Sequence, residues 1–251
     1  MKSMRDSKYQ SRVVRERAEL WVPHGDEEIA FVSHSFGPNN YPNVGNAILA
    51  KGLKVPTGDY TASLLYTAYC DDSAVSEPEF VEVRNKMKKN CLWVFNTNLW
   101  ARNGVYVLQD EVATGRDKIL KAKDLEEMLK GGRELSSGGV RVSNDGRVRF
   151  APKGSYVLGS NTPEAFAKDG FIIASCGQAG AEKLGEVTAK FKTDPEIQGF
   201  DIEEGRTPKQ RVSAVDEYHG RFNFIGQGWF GGNDINHAFA VLRAAEGSKA
   251  A

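Results

Sequence analysis

Residues 169 to 204 form the one stretch in which backbone geometry alone can build a ligand site. The apolar run Phe171-Ile172-Ile173-Ala174 reads as a strand. It leads into Ser175-Cys176-Gly177-Gln178-Ala179-Gly180 and then into a helical pattern at Ala181, Leu184, Val187 and Phe191. A helix entered through glycines presents unpaired N–H groups and the positive end of its dipole, which suits an anion. The Ser-x-Gly-x-x-Gly spacing is that of a dinucleotide-binding turn with serine in place of the first glycine, and Asp201 and Glu203 fall where a ribose-binding acid would. Ser175, Gly177, Gly180 and Asp201 are therefore the expected contacts of a small anionic ligand. The plainer reading is close packing of a helix on a strand. Two or three N–H bonds at about 1 kcal/mol each reach only millimolar-type affinity, so phosphate selection needs a cation as well. Lys183 lies near the helix start.

Two Asp-x-x-His sequences, Asp216 to His219 and Asp234 to His237, place carboxylate and imidazole where a helix or turn would bring them to one metal. In strands they would point apart, and the loop chemistry of Asn233-Asp234-Ile235-Asn236 explains the second without a metal. The sequence does not say whether the two pairs converge, and no metal site is assigned. Among the cysteines, Cys70 precedes Asp71-Asp72, which would raise its pKa, and Cys91 begins an apolar run. Cys176, at a strand end ahead of a helix, is the better nucleophile, with His34 as its partner in space.

Arg141, Arg147 and Arg149 alternate with Val140, Val142, Val148 and Phe150, so a hairpin there would put guanidinium groups on one face, extended by Lys153. That row suits a phosphate backbone, or simply keeps an edge soluble. Trp229 and Phe230 sit within Gly226-Gln227-Gly228-Trp229-Phe230-Gly231-Gly232, a run too glycine-rich for a regular strand. They are expected either on a contact loop or turned into the core.

The elements that would position these residues divide unevenly. Residues 3 to 20 read as a basic, weakly amphipathic helix, Ile29 to Ser33 as a strand, and Phe36 to Pro42 as a loop. Helices follow from Asn43 to Lys51, from Asp59 as cap, from a Ser76–Glu79 capping box with first-turn Pro78, and from Lys121 to Lys130. Asn103-Gly104 joins Leu92–Phe95 to Val105–Leu108 in a hairpin expected to turn through positive φ. A second hairpin turns at Asn144-Asp145-Gly146, and Thr162-Pro163-Glu164 begins a short helix ended by Gly170. Residues 210–215, 221–225 and 238–242 read as further strands. The fold class is α+β, with a mixed or mainly antiparallel sheet and helices concentrated in the amino-terminal half. Ser136 to Gly139 marks a soft division between a helix-rich part with one β-hairpin, 1–135, and a strand-rich part, 140–246, unless the chain is one compact domain.

The totals bound the function. The 33 acidic and 33 basic residues cancel, so no net field gathers nucleic acid or anionic membrane. Three cysteines without a close pair fit a reducing compartment. The absence of a signal-like leader or an apolar run of spanning length points to a soluble cytoplasmic protein without membrane contact. No motif specifies a reaction, a cofactor or an oligomeric state. The leading reading is binding, to a protein partner, a second copy or a small anionic ligand. One rival is a hydrolase or transferase on a phosphorylated or nucleotide-like substrate, with Asp201, His34 or His237 supplying polar groups. The other is nucleic-acid binding by the arginine hairpin.

Overall fold

In the computed structural model, which describes residues 10–113, 119–135, 138–229 and 235–242, the amino-terminal segment is strand rather than helix from residue 12. Strands β1 (Arg12–Val14), β2 (Glu19–His24) and β3 (Glu27–Val32) form a small antiparallel sheet, interrupted by one 3-10 turn at Arg15–Arg17. Leu20 and Val22 alternate inward and are fully buried, so period-two patterning outweighs the helix formers around it. The part of the expected helix before residue 10 lies outside the described residues.

The expected loop at Phe36 to Pro42 holds a four-residue strand, β4 (Phe36–Asn39), and the start of α1 (Tyr41–Leu49). Asn40 caps that helix, its side chain accepting from the Asn43 N–H at 3.1 Å, and Pro42 occupies the first turn. Helices α2 (Gly58–Cys70) and α3 (Pro78–Lys89) follow, the second ending in Lys86, Lys88 and Lys89 at its carbonyl end. The capping box does not form. Glu79 instead accepts from Arg15 at 2.8 Å.

Beyond α3 the chain enters an eleven-stranded mixed sheet. Its members are β4, β5 (Leu92–Ala101), β6 (Gly104–Gln109), β7 (Arg133–Glu134), β8 (Arg141–Val142), β9 (Val148–Pro152), β10 (Gly159–Ser160), β11 (Thr193–Gln198), β12 (Lys209–Tyr218), β13 (Arg221–Gly228) and β14 (Asn236–Ala238). The main path runs β10-β11-β13-β12-β5-β6-β9-β8-β7, with β14 joining β5 to β4. Among the described residues only β11 with β13 and β14 with β5 pair in parallel, so the α+β reading with a mainly antiparallel sheet holds. Both expected hairpins are present, although Arg102 and Asn103 keep negative φ and the strained position is Gly104, at φ +145°. A Cβ there would lie 2.2 Å from the Ala151 carbonyl, which explains the glycine.

The helices are not confined to the first half. α4 (Ala122–Leu129) covers the β6–β9 end, and α5 (Pro163–Phe166) and α6 (Gly170–Thr188) lie in the second half. Phe171 to Ala174 belongs to α6 and not to a strand. Asp169 caps the helix, accepting from the N–H groups of Phe171 and Ile172, and four apolar residues fit a helix buried all round as well as a strand. β5 divides the core: Leu92 and Val94 join the cluster of α2, α3 and α6, while Trp93 and Phe95 join that of α1. Among the described residues, no helix is long and apolar enough to cross a membrane.

Candidate functional site

The glycine turn that would receive an anion is a break within α6. Gly177, at φ +69° and ψ 168°, interrupts the helix and leaves the preceding carbonyls without helical partners. Side chains of the sheet replace them. Asn96 Nδ2 donates to the Ser175 carbonyl at 3.0 Å, Gln109 Nε2 to the same oxygen at 3.3 Å, and Arg149 Nη1 to the Ala174 carbonyl at 3.4 Å. Arg149 also holds Asp59 of α2 through Nη1 at 2.9 Å and Nη2 at 2.7 Å. Burial alone would lower the Arg149 pKa, but the hydrogen bonds and charge of Asp59 outweigh it and raise the guanidinium above its usual value. The space in front of Gly177 is filled by this pair, 3.3 Å from Asp59 Oδ1 and 3.7 Å from Arg149 Nη1 for a Cβ built there.

The structure thus groups Ser175 and Gly177 around a buried polar centre, and gives the other expected contacts different neighbours. Gly180 lies where α6 meets α2, a built Cβ falling 3.3 Å from the Ala62 Cβ and 3.0 Å from that of Cys176. Asp201 is exposed and accepts from Lys153 Nζ at 2.7 Å. Phe230 lies outside the described residues. Cys176 is buried inside α6, and burial pushes its thiol well above the ordinary range, opposite to the activated thiolate expected at a helix start. His34 is exposed and packs on Phe36, so the two do not form a pair.

The first Asp-x-x-His is also spent on structure. Asp216 accepts from Asn223 Nδ2 at 2.7 Å and from Cys91 Sγ at 3.4 Å, while His219 occupies the β12–β13 turn at φ +51° against Tyr218. Asp234 lies outside the described residues. His237 is 4% exposed, with Nδ1 3.2 Å from Ser35 Oγ and its pKa lowered by burial and then by Lys86. No group of three or more His, Cys, Asp or Glu among the described residues could hold a metal. The three arginines do not share one face: Arg149 is buried against Asp59, Arg141 pairs with Glu126 at 2.9 Å with its guanidinium 4.8 Å from the Phe150 ring centroid, and Arg147 is exposed beside the turn.

Two arrangements remain. At the end of β13, Trp229 is 57% exposed, although Trp93 and Trp100 are buried. The pairing of Val212 with Gly228 sets Trp229 beside Arg211, whose guanidinium lies 4.0 Å from the indole centroid and 5.3 Å from that of Phe200. Lys209, two residues away on the same strand face, places Nζ 4.3 Å from the Phe200 centroid. Cation and ring alternate across this patch, each contact worth about 0.5–1 kcal/mol when exposed.

The second arrangement is buried between α2, α6 and the β2–β3 turn. Lys183 Nζ donates to Ser63 Oγ at 2.8 Å and to the Pro23 carbonyl at 3.1 Å, and His24 Nδ1 is 2.9 Å from the same Ser63 oxygen. Lys183 makes no ion pair among the described residues, and burial pushes its amine down to about 8. Its place was marked in the sequence. Position 183 falls on the stripe of Gly180, Leu184 and Val187, where a lysine breaks the apolar pattern. Its partners Ser63 and His24 are distant in sequence and carried no signal.

No family model matches this chain and no curated protein is similar to it. One solved structure, described as "Accommodation of massive sequence variation in Nanoarchaeota by the C-type lectin fold", is similar over 88% of this chain and 100% of its own, with 12% identity and a TM-score of 0.47. A likeness at that level assigns no function.

Proposed function

We propose that this chain is a binding domain for a protein partner, with the surface of Trp229, Arg211, Phe200 and Lys209 as its contact centre. The observation that carries the reading is the exposed Trp229 ring held in place by a stacked guanidinium. Tryptophan and arginine are the residues most enriched at the energetic centres of protein interfaces, and a ring fixed before binding loses little freedom when covered. The mixed charge around the patch favours a protein surface over a polyanion: Asp201, Glu203 and Glu204 follow Phe200 directly and are all exposed. Small-ligand binding at the same rings is the narrower version of this reading.

The test is affinity purification from expressing cells with the native chain and with Trp229→Ala, followed by titration of the recovered protein with pure components. Trp229→Ala should weaken that interaction by at least about 30-fold, corresponding to about 2 kcal/mol. Equal affinity of the two chains refutes the assignment.

A further inference from the structure

Around Trp229 the acids and the cations are committed differently. In the connection from β11 to β12, Asp201 accepts from Lys153 Nζ at 2.7 Å and Glu204 from Arg102 Nη1 at 2.7 Å. Glu203, Arg206 and Lys209 are exposed and make no ion pair among the described residues. Residues 200–211 with Arg102 and Lys153 thus set the cations Arg102, Lys153, Arg206, Lys209 and Arg211 against the acids Asp201, Glu203 and Glu204. The surface is positive by two on a chain whose total charge is zero.

The charge nearest the rings is also fixed in place. Arg211 Nη1 donates to the Gln210 carbonyl at 2.8 Å, and its guanidinium lies 4.0 Å from the Trp229 centroid. Lys209 Nζ stands 4.3 Å from the Phe200 centroid. Cations ordered on rings before binding lose less freedom when a carboxylate meets them. On the same sheet face, Gln227 Nε2 donates to Gln198 Oε1 at 3.3 Å, so amides without charge border the rings there.

Resting on the contact surface assigned above, we infer that its partner is an acidic peptide segment, with one apolar side chain covering Trp229 and neighbouring carboxylates meeting the cations from Arg206 to Arg211. A basic segment would find Asp201 and Glu204 already paired and would face the excess positive charge. A polynucleotide, charged at every step, would run onto Glu203, where a peptide can place a neutral residue.

The experiment is selection of a displayed library of random peptides of about twelve residues on the native chain, with depletion on Trp229→Ala. Recovered peptides are then titrated against the pure chain by fluorescence anisotropy. The expected peptides carry Asp or Glu on either side of an aromatic or large aliphatic residue. They should bind Lys209→Glu about tenfold more weakly than the native chain, and lose at least about threefold in affinity between about 0.05 and 0.5 M sodium chloride. Trp229-dependent peptides that are neutral or basic overturn the acidic assignment and leave Trp229 as the contact centre, as do acidic ones that bind Lys209→Glu equally well. Should that variant not fold, an affinity of the native chain unchanged by salt is equally decisive against it. No Trp229-dependent peptide at all also overturns the inference, and affinity purification with Trp229→Ala then decides separately whether the contact surface stands.

Discussion

Lys183 offers a test of how the interior treats an unmatched charge. In the unfolded chain its amine titrates near the usual 10.5, and in the folded chain burial brings this down to about 8. Between those values the unfolded state binds a proton that the folded state does not, so stability rises with pH. The gap corresponds to about 3 kcal/mol in full, of which about 2 to 3 kcal/mol develops between pH 7 and pH 10. Lys183→Met removes this dependence, at the cost of two hydrogen bonds of about 1 kcal/mol each at every pH. Urea unfolding of both chains at pH 7 and pH 10 isolates the effect, because tyrosine and cysteine titrations cancel in the native-minus-variant difference. That difference should move in favour of the native chain by about 2 to 3 kcal/mol at the higher pH. A difference constant to within about 0.5 kcal/mol would falsify the argument, and would mean that Lys183 stays charged and solvated.

Other perturbations probe the break in α6 and its surroundings. Asp59→Ala strands Arg149, which is 9% exposed and whose Nε has no hydrogen-bond partner among the described residues, and should lower unfolding free energy by about 3–5 kcal/mol in urea. Pairing it with Arg149→Met should recover part of that loss, and an additive double variant would contradict the pairing. Gly58→Ala places a methyl 2.0 Å from the Ser175 carbonyl and should cost at least about 1–3 kcal/mol, seen as a lowered Tm. In acrylamide quenching, Trp229→Ala should remove the most accessible emission, since the indoles of Trp93 and Trp100 are buried and Trp21 is partly buried with its Nε1 donating to Glu19 at 2.8 Å.

Local chemistry made much of this fold legible. An apolar run at Leu92 to Phe95 and alternation at Val148 to Phe150, with turn residues between runs, marked both hairpins, whereas the loop expected at Phe36 to Pro42 concealed the Asn40 cap and first-turn Pro42 that start α1. Where competing signals were of equal length the reading failed. Phe171 to Ala174 fits either period, and what makes it a helix is the Asp169 cap together with burial between α2 and the sheet. Asp59, whose type suits a cap, is drawn to Arg149 ninety positions later, and Glu79 to Arg15. Such contacts depend on which strands become neighbours, and no spacing rule contains them. The same holds for the site. Trp229 stood out by composition, but its partner Arg211 is set by the β12–β13 register, and Ser63 with His24 by the packing of three separate elements.

The path of β14 bears on the order in which the molecule can be assembled. Asn236 and Ala238 pair with β4, and His237 pairs with Leu92. The backbone of 240–242 then reaches Val32, Lys54 and Ala30. Ala30, Val32 and Lys54 thus take their backbone partners from the far side of the sequence. The bridges from Phe31 and Lys54 to Val241 therefore form only when two segments far apart in sequence have met. Contacts this distant in sequence close slowly, so the edge of the small sheet at Ala30 to Val32 is paired late in folding.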